Sequence, residues 1–170
     1  MNLGLEKYQS VVSGLEPQVD YGPDGESKDE PWSNVGKFDQ WLSAQGFTDA
    51  DRQAWITSVP LVTLSMNHGP LFGVERFIEV NSCTDHQILK AGFVIVGRGP
   101  NGDCVVVDIA ESRGQTGWLP MGMIRGMPAA SVREHFVATN PSLGDFVKSS
   151  EEDWSNVPKD WHDARNPAND

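Results

Sequence analysis

Two side chains with metal-binding and nucleophilic chemistry stand close together, Cys83 and His86. Their Cys-x-x-His spacing could supply two ligands to a metal ion, but a structural zinc site needs four. The other cysteine, Cys104, lies in an apolar run typical of a strand, and the three remaining histidines are scattered and share no motif. A cysteine nucleophile also needs a base and a group that orients that base. The sequence therefore predicts no metal site, no cofactor and no cysteine catalysis.

Carboxylate pairs are the second kind of group that could do chemistry. Asp103 and Asp108, and likewise Glu75 and Glu79, fall on predicted strands, where a pair facing one cleft could act as acid and base. Such pairs are common on strands by chance, and nothing beside them distinguishes either pair. The serine motif Gly-x-Ser-x-Gly is absent. The sequence therefore predicts that the chain is not an enzyme.

A glycine-rich stretch at residues 97–102 lies between two apolar runs, FVIV at 93–96 and CVVV at 104–107. It leads into a strand rather than a helix and lacks the Lys-Ser/Thr of a phosphate-binding loop, so we interpret it as a hairpin turn. Pro100 cannot donate to a strand ladder, and Gly102 can adopt a positive backbone angle there. Because neither run alternates with polar residues, both strands are predicted to be covered on both faces.

Apolar spacing and capping residues predict three helices before this hairpin. The first spans residues 3–14, and the second runs from a Ser or Asn cap at 33–34 to Gly46. The third begins after Thr48 and ends at Pro60, which cannot continue a helix. Their buried faces are expected to be Leu5, Tyr8, Val12 and Leu15, then Phe38, Trp41 and Leu42, then Trp55, Ile56 and Val59.

The stretch between the third helix and the hairpin is predicted to be mostly extended. Residues 61–65 form a candidate strand, and the sequence Asn-His-Gly-Pro at 67–70 is a strong turn. The alternation at residues 74–80 predicts a second strand with mixed faces. Residues 83–90 are expected to form one or two helical turns.

After the hairpin, the pattern returns from strand to helix. Residues 117–120 predict a further strand, and residues 121–128 a loop whose methionines are expected to fill the core. Two helices follow, one over residues 129–138 and one after the cap Ser142. Their buried residues are expected to be Val132 and Phe136, then Leu143, Phe146 and Val147.

The order of elements is helices, then strands, then helices. That order predicts a single α+β domain over residues 1–150, with one mostly antiparallel β-sheet flanked by N-terminal and C-terminal helices. Residues 15–35 are expected to form a long acidic loop. Residues 151–170 form an acidic tail, which we expect to dock partly through Trp154 and Trp161, because tryptophan is rarely left in solvent.

The net charge of −11 is concentrated in two segments. Residues 15–35 contribute −5 and residues 151–170 contribute −4, so the rest of the chain is nearly neutral. This balance excludes the basic footprint of a nucleic-acid-binding protein and is compatible with a basic protein partner. No apolar run is long enough to span a bilayer, and the first residues do not resemble a signal peptide. We therefore expect a cytoplasmic protein without a membrane partner.

A pattern of glycines, acids and apolar strands covers residues 90–150. It comprises the glycine-rich turn, Asp103, the strand that ends at Asp108, Gly117-Trp118, and the later helix Ser-Leu-x-x-Phe-Val at 142–147. This pattern resembles the SMI1/KNR4 family of the SUKH superfamily. The resemblance implies an α+β fold without enzymatic activity. It also implies either a bacterial immunity protein that neutralises a toxin, often a nuclease, or a scaffold in cellular signalling.

The charge and the resemblance together predict a non-enzymatic protein-binding module, and the resemblance implies a bacterial immunity protein that neutralises a basic toxin of the nuclease type. The residues expected to contact the partner are Asp24, Glu26, Asp103, Asp108, Glu111 and Trp118. The alternative is a regulatory domain that binds a small molecule or peptide in a pocket near residues 118–127. That pocket would be lined by Trp118, Met121 and Met123.

Overall fold

The computed structural model describes residues 3–4, 12–16, 35–99 and 102–152, and it confirms an α+β fold with one antiparallel sheet. The strands are β1 (Leu64–Met66), β2 (Gly69–Leu71), β3 (Phe93–Arg98), β4 (Cys104–Asp108), β5 (Thr116–Leu119) and β6 (Val137–Asn140). The helices are α1 (Val35–Ala44), α2 (Asp49–Ser58), α3 (Val74–Asn81), α4 (Met121–Ile124), α5 (Ala129–Val132) and α6 (Leu143–Glu152). A 3₁₀ turn, Arg133–His135, follows α5.

The sheet has six strands in sequence order, and every neighbouring pair is antiparallel. Its centre is the predicted hairpin of β3 and β4, in which nearly every residue is buried. The register of this pair shifts between Ile95 and Gly97, so β3 carries a bulge. The prediction that both strands are covered on both faces is therefore confirmed, and this burial explains why neither strand alternates with polar residues.

Helices α1 and α2 are two of the predicted helices and pack against each other, and α3 connects them to the sheet. Thr48 caps α2 by accepting a hydrogen bond from the backbone N–H of Asp51 (3.2 Å). The rings of Phe38 and Trp55 meet that of Phe77 on α3, at centroid distances of 5.1 and 5.5 Å. Such ring contacts hold α1 and α2 on α3, and α3 in turn packs against β3.

The predicted strand at residues 74–80 is wrong, because this segment is helix α3. Its buried side chains are Val74, Phe77, Val80 and Asn81, which recur every three to four residues as on one face of a helix. The sequence pattern resembles a two-residue alternation because Arg76 and Ile78, which are of intermediate burial, lie between the buried residues. The burial itself follows the period of a helix and not that of a strand.

Three further predictions are corrected between residues 83 and 138. Residues 83–90 form bends and turns rather than a helix, and residues 121–124 form the short helix α4 inside the predicted loop. The predicted helix at 129–138 is only partly right. It ends in a 3₁₀ turn, and the chain becomes extended at Phe136 before β6.

Strand β6 forms at this position because it pairs with β5, where Gly117 lies opposite Ala138. A Cβ atom on Gly117 would overlap the carbonyl oxygen of Val137. The missing side chain thus permits the close approach of the last strand.

Helix α6 begins where expected and packs on the side of the sheet that carries Trp118. The Ser142 hydroxyl accepts a hydrogen bond from the Asp145 N–H (3.1 Å), which caps the helix. The rings of Phe146 and Trp118 lie 5.6 Å apart. Helix α6 also contacts β1, β5 and β6, so it crosses most of the sheet.

Several predictions lie largely or wholly outside the described residues. They are the helix at 3–14, the acidic loop beyond residue 16, and the docking of the tail through Trp154 and Trp161. In the part of the chain that the structure describes, no helix has both the length and the apolar character to cross a membrane.

Candidate functional site

Asp108 was predicted to contact a partner. It is instead buried, and its hydrogen bonds hold the loop between β4 and β5. Its side chain is only 1% exposed. Its two oxygens accept hydrogen bonds from the backbone N–H groups of Ala110, Glu111 and Ser112, at 2.9 to 3.1 Å. It also pairs with the Arg133 guanidinium at 2.6 Å. A carboxylate enclosed in this way has no surface for a partner, so its predicted contact role is wrong.

The pKa of Asp108 reflects this enclosure. Burial by itself would raise the pKa, but Arg133 and the N–H groups of Ser112 and Ala110 outweigh burial and lower the pKa below its ordinary value. The carboxylate is therefore ionised at neutral pH and holds the loop through charge-assisted hydrogen bonds.

Arg133 is a central residue that the sequence did not single out. Its guanidinium contacts Asp108 and also donates to the Ala91 carbonyl oxygen (2.7 Å). It lies over the Phe93 ring at 4.5 Å from the centroid and pairs with Glu111 at 3.1 Å. Only Glu111 among these partners is well exposed, at 73% of its side chain, so it remains accessible to a partner.

Trp118 is also a core residue, with 1% exposure, and its burial contradicts the predicted contact role. The pocket predicted from Trp118, Met121 and Met123 does not form, because Trp118 packs against Phe146 and Met123 is 57% exposed. Asp103 is half-buried, and its Oδ1 accepts a hydrogen bond from the Met121 N–H (3.1 Å). It precedes β4 while Asp108 ends that strand, so the two acids lie at opposite ends and form no common patch.

Cys83 and His86 do lie near one another, but with different burial. Cys83 is exposed, whereas His86 is 6% exposed, and its Nε2 lies 3.2 Å from the Val80 carbonyl oxygen. Among the residues that the structure describes, no group of three or more His, Cys, Asp or Glu is placed to hold a metal ion. The pair Glu75 and Glu79 lies on the helix α3, where Glu79 pairs with Arg76 at 2.6 Å.

The remaining predicted contacts, Asp24 and Glu26, lie outside the described residues, but the two acidic segments that the sequence identified meet the fold at one place. At the start of the first segment, the Glu16 carbonyl oxygen accepts a hydrogen bond from the Ser65 N–H on β1 (3.0 Å). At the start of the second, the Glu151 carboxylate accepts from the Asn67 N–H (3.2 Å). We call Glu16, Glu151 and Glu152, together with β1, the acidic edge.

The acidic edge is compact because its two anchors are close in sequence. Ser65 and Asn67 are two positions apart, which in extended backbone corresponds to roughly 7 Å. The Asn67 side chain strengthens the second anchor by donating to the carbonyl oxygen of Ser150 (3.1 Å). Segments that carry −9 of the net −11 therefore begin side by side, at one margin of the sheet. Sequence reasoning found the charges but not their meeting point, since no local signal links residue 16 to residue 151.

The fold and these contacts define an α+β domain with an open six-stranded antiparallel sheet and an acidic margin. No protein-family model matches this chain, and neither a curated protein nor a solved structure matches it.

Proposed function

We propose that this chain is a non-enzymatic protein-binding module whose acidic edge contacts a basic protein. The observation that carries the proposal is the pair of anchors at β1, which start both acidic segments at the same margin of the sheet. Glu16 and Glu151 lie at this margin, where their potentials add, and the exposed Glu152 beside Glu151 pairs with Lys148 at 3.6 Å. Nucleic acid is not the partner in this proposal, because its phosphates would be repelled.

The partner we propose is a toxin of the nuclease type, and the chain is its immunity protein. This part of the proposal derives from the resemblance of residues 90–150 to the SMI1/KNR4 family. It agrees with the charge, since a nuclease must carry a basic surface to hold its substrate. An acidic protein bound to that surface would block access of nucleic acid. The proposal places the complex in the cytoplasm, where both free cysteines stay reduced.

Such a complex should form rapidly and respond to salt. Opposite charges steer the encounter and raise the association rate, while exposed charges are screened beyond about 8 Å at physiological ionic strength. Glu151 and Glu152 are exposed, so their contribution to binding should decline as salt rises.

The test uses the full chain, tagged and expressed in its native cell, with captured proteins identified after washes at low and high salt. A basic protein is expected to be retained at low salt and released at high salt. Each captured protein is then purified, and its affinity is measured against the wild-type chain and a triple variant, Glu16→Gln, Glu151→Gln and Glu152→Gln. The matched control is Asp49→Asn, Asp85→Asn and Glu134→Gln, which removes the same charge from exposed sites elsewhere.

The acidic-edge variant is expected to bind several-fold more weakly and with a shallower salt dependence than the control. Equal weakening by both variants would show that only the total charge matters and would contradict an acidic-edge site. The immunity role has its own readout. The captured protein should stop growth when expressed alone and permit growth when the chain is co-expressed.

A further inference from the structure

A separate cavity of 170 Å³ lies on the side of the sheet opposite Trp118. Ile95, Arg98 and Cys104 line it from the central hairpin, where Arg98 and Cys104 are cross-strand partners. Val80 on α3 and Met121 on α4 line it from the helical layer. The cavity is therefore a gap in that layer, and none of the residues that line it belongs to the acidic edge.

The charges that line this cavity do not balance. Arg76 is compensated by Glu79, which lies 2.6 Å away. Arg98 lines the same cavity, yet among the described residues no carboxylate lies within ion-pairing distance of its guanidinium, and its buried Nε has no acceptor. Within the part of the chain that the structure describes, the Arg98 guanidinium therefore leaves one positive charge for a ligand to neutralise.

Two further groups that line the cavity, His86 and Cys104, are neutral at pH 7. Burial lowers the pKa of His86 despite its hydrogen bond to Val80, so the imidazole is uncharged. Because a carbonyl oxygen can only accept, His86 Nε2 carries the proton, and the buried Nδ1 meets no donor among the described residues. Burial also raises the pKa of the Cys104 thiol to about 11. Arg98 therefore supplies the net charge of the cavity.

The remaining lining is apolar and sets the size of what can bind. Val80, Ile95 and Met121 offer hydrocarbon and thioether surface around the guanidinium. An engineered protein cavity of about 150 Å³ admits one benzene molecule, so this cavity fits a body of one ring or one branched alkyl group.

We propose that this cavity binds a small carboxylic acid with an apolar body, its carboxylate paired with Arg98 and its body against Val80, Ile95 and Met121. A guanidinium forms two parallel hydrogen bonds to a carboxylate, and the apolar walls offer a surface for the rest of the ligand.

The experiment titrates the full-length protein with benzoate, phenylacetate and 3-methylbutanoate, and with the corresponding uncharged amides as controls of matched shape. Binding is followed by NMR, through the Arg98 side-chain Nε–H signal and the backbone signals of Cys83, His86 and Met121. At least one acid is expected to shift these signals saturably. The affinity of its amide is expected to be at least about tenfold lower, because the amide loses one charge-assisted pair.

Three variants test the charge of Arg98, its paired hydrogen-bond geometry and its position in the cavity. Arg98→Gln is expected to weaken the acid by about tenfold while leaving the amide unchanged. Arg98→Lys should retain part of the affinity, because it keeps the charge but loses the paired geometry. Arg125→Gln removes the same charge from a site that is 72% exposed and should bind like wild type.

Met121→Trp, which fills the cavity, should abolish binding of both acid and amide. The proposal is overturned if none of the three acids shifts the cavity signals at millimolar concentration. It is equally overturned if acid and amide bind alike, or if Arg98→Gln and Arg125→Gln behave alike.

Discussion

The side chain of Asn81 hydrogen-bonds to the backbone of Ile95 as a neighbouring strand would. Its Oδ1 accepts from the Ile95 N–H, and its Nδ2 donates to the Ile95 carbonyl oxygen, each at 2.8 Å. Strand β2 ends at Leu71, which lies opposite Gly97, and the Phe72 N–H donates to the Val96 carbonyl oxygen (2.9 Å). The edge of β3 at Ile95 therefore needs another partner. The last residue of helix α3, Asn81, supplies this partner, and its Nδ2 also donates to the Phe77 carbonyl oxygen. One amide thus joins the helical layer to the central hairpin.

We expect Asn81→Leu to lower the free energy of unfolding by about 2–4 kcal/mol, because the Ile95 N–H and carbonyl lose their partner in a buried site. Chemical denaturation followed by tryptophan fluorescence measures the change. The control is Gln40→Leu on the exposed face of α1, which should alter stability little. A cost for Asn81→Leu no larger than that of the control would contradict the proposed bridge.

Asp108 is expected to stabilise the fold in a pH-dependent manner. The pKa of its carboxyl is lower in the folded chain than in the unfolded chain, so its contribution is present above the ordinary pKa of about 3.9. It is lost as the pH falls through the lowered, folded value. Asp108→Asn should therefore cost about 3 kcal/mol at pH 7, since one partner of a buried pair is removed.

The pH profile distinguishes this charge effect from a simple packing defect. The difference in stability between wild type and Asp108→Asn should narrow as the solution is acidified below pH 4, where the wild-type carboxyl becomes protonated. Urea denaturation at a series of pH values measures it. A difference that stays constant down to the lowest accessible pH would show that the ionised carboxylate is not what stabilises the loop.

Gly117→Ala is expected to separate β6 from β5, because the added Cβ would meet the Val137 carbonyl oxygen. Hydrogen exchange should accelerate at the amides of β6, and the melting temperature should fall. Gly122→Ala provides a matched control, since a Cβ there meets nothing within 4 Å and the site lies in helix α4. That substitution should be neutral or stabilise the protein by roughly 0.5–1 kcal/mol.

The two cysteines should react with alkylating agents at very different rates. Cys83 is exposed, whereas Cys104 is buried and its thiol has a pKa of about 11, which leaves almost no thiolate at neutral pH. Mass spectrometry of the native protein after brief iodoacetamide treatment should find one modified thiol, at Cys83. Both thiols should react once the chain is unfolded. Rapid native modification of Cys104 would mean that the central hairpin opens readily.

The resemblance and the charge pattern lead to different kinds of test. The family resemblance predicts what the partner is, and only growth rescue by co-expression tests that prediction. The acidic edge predicts where the partner binds, and the paired charge variants test the location. If a basic partner binds elsewhere on the chain, the proposed class of function is supported but the proposed binding site is wrong.

The sequence by itself determined the elements whose signals are local. The hairpin of β3 and β4 was evident because each strand is apolar without alternation, and α2 and α6 were evident from Thr48 and Ser142, whose caps act within three residues. These features need no knowledge of distant parts of the chain. The class of fold followed from the order of such elements.

Tertiary contacts decided what local pattern could not. Val74–Asn81 is helical because Phe77 packs among the aromatic rings of α1 and α2, and Val137–Asn140 is a strand because Gly117 lets it pair with β5. The roles of Asp108 and Trp118 also depended on their surroundings, since an acid or a tryptophan at a strand end can equally be a contact or a core residue. The anchoring of Glu16 and Glu151 beside β1 is a relationship between residues remote in the chain, and so is the cavity in which Arg98 meets no carboxylate of the described residues. Only the folded backbone brings such residues together, and for that reason no sequence spacing could have revealed them.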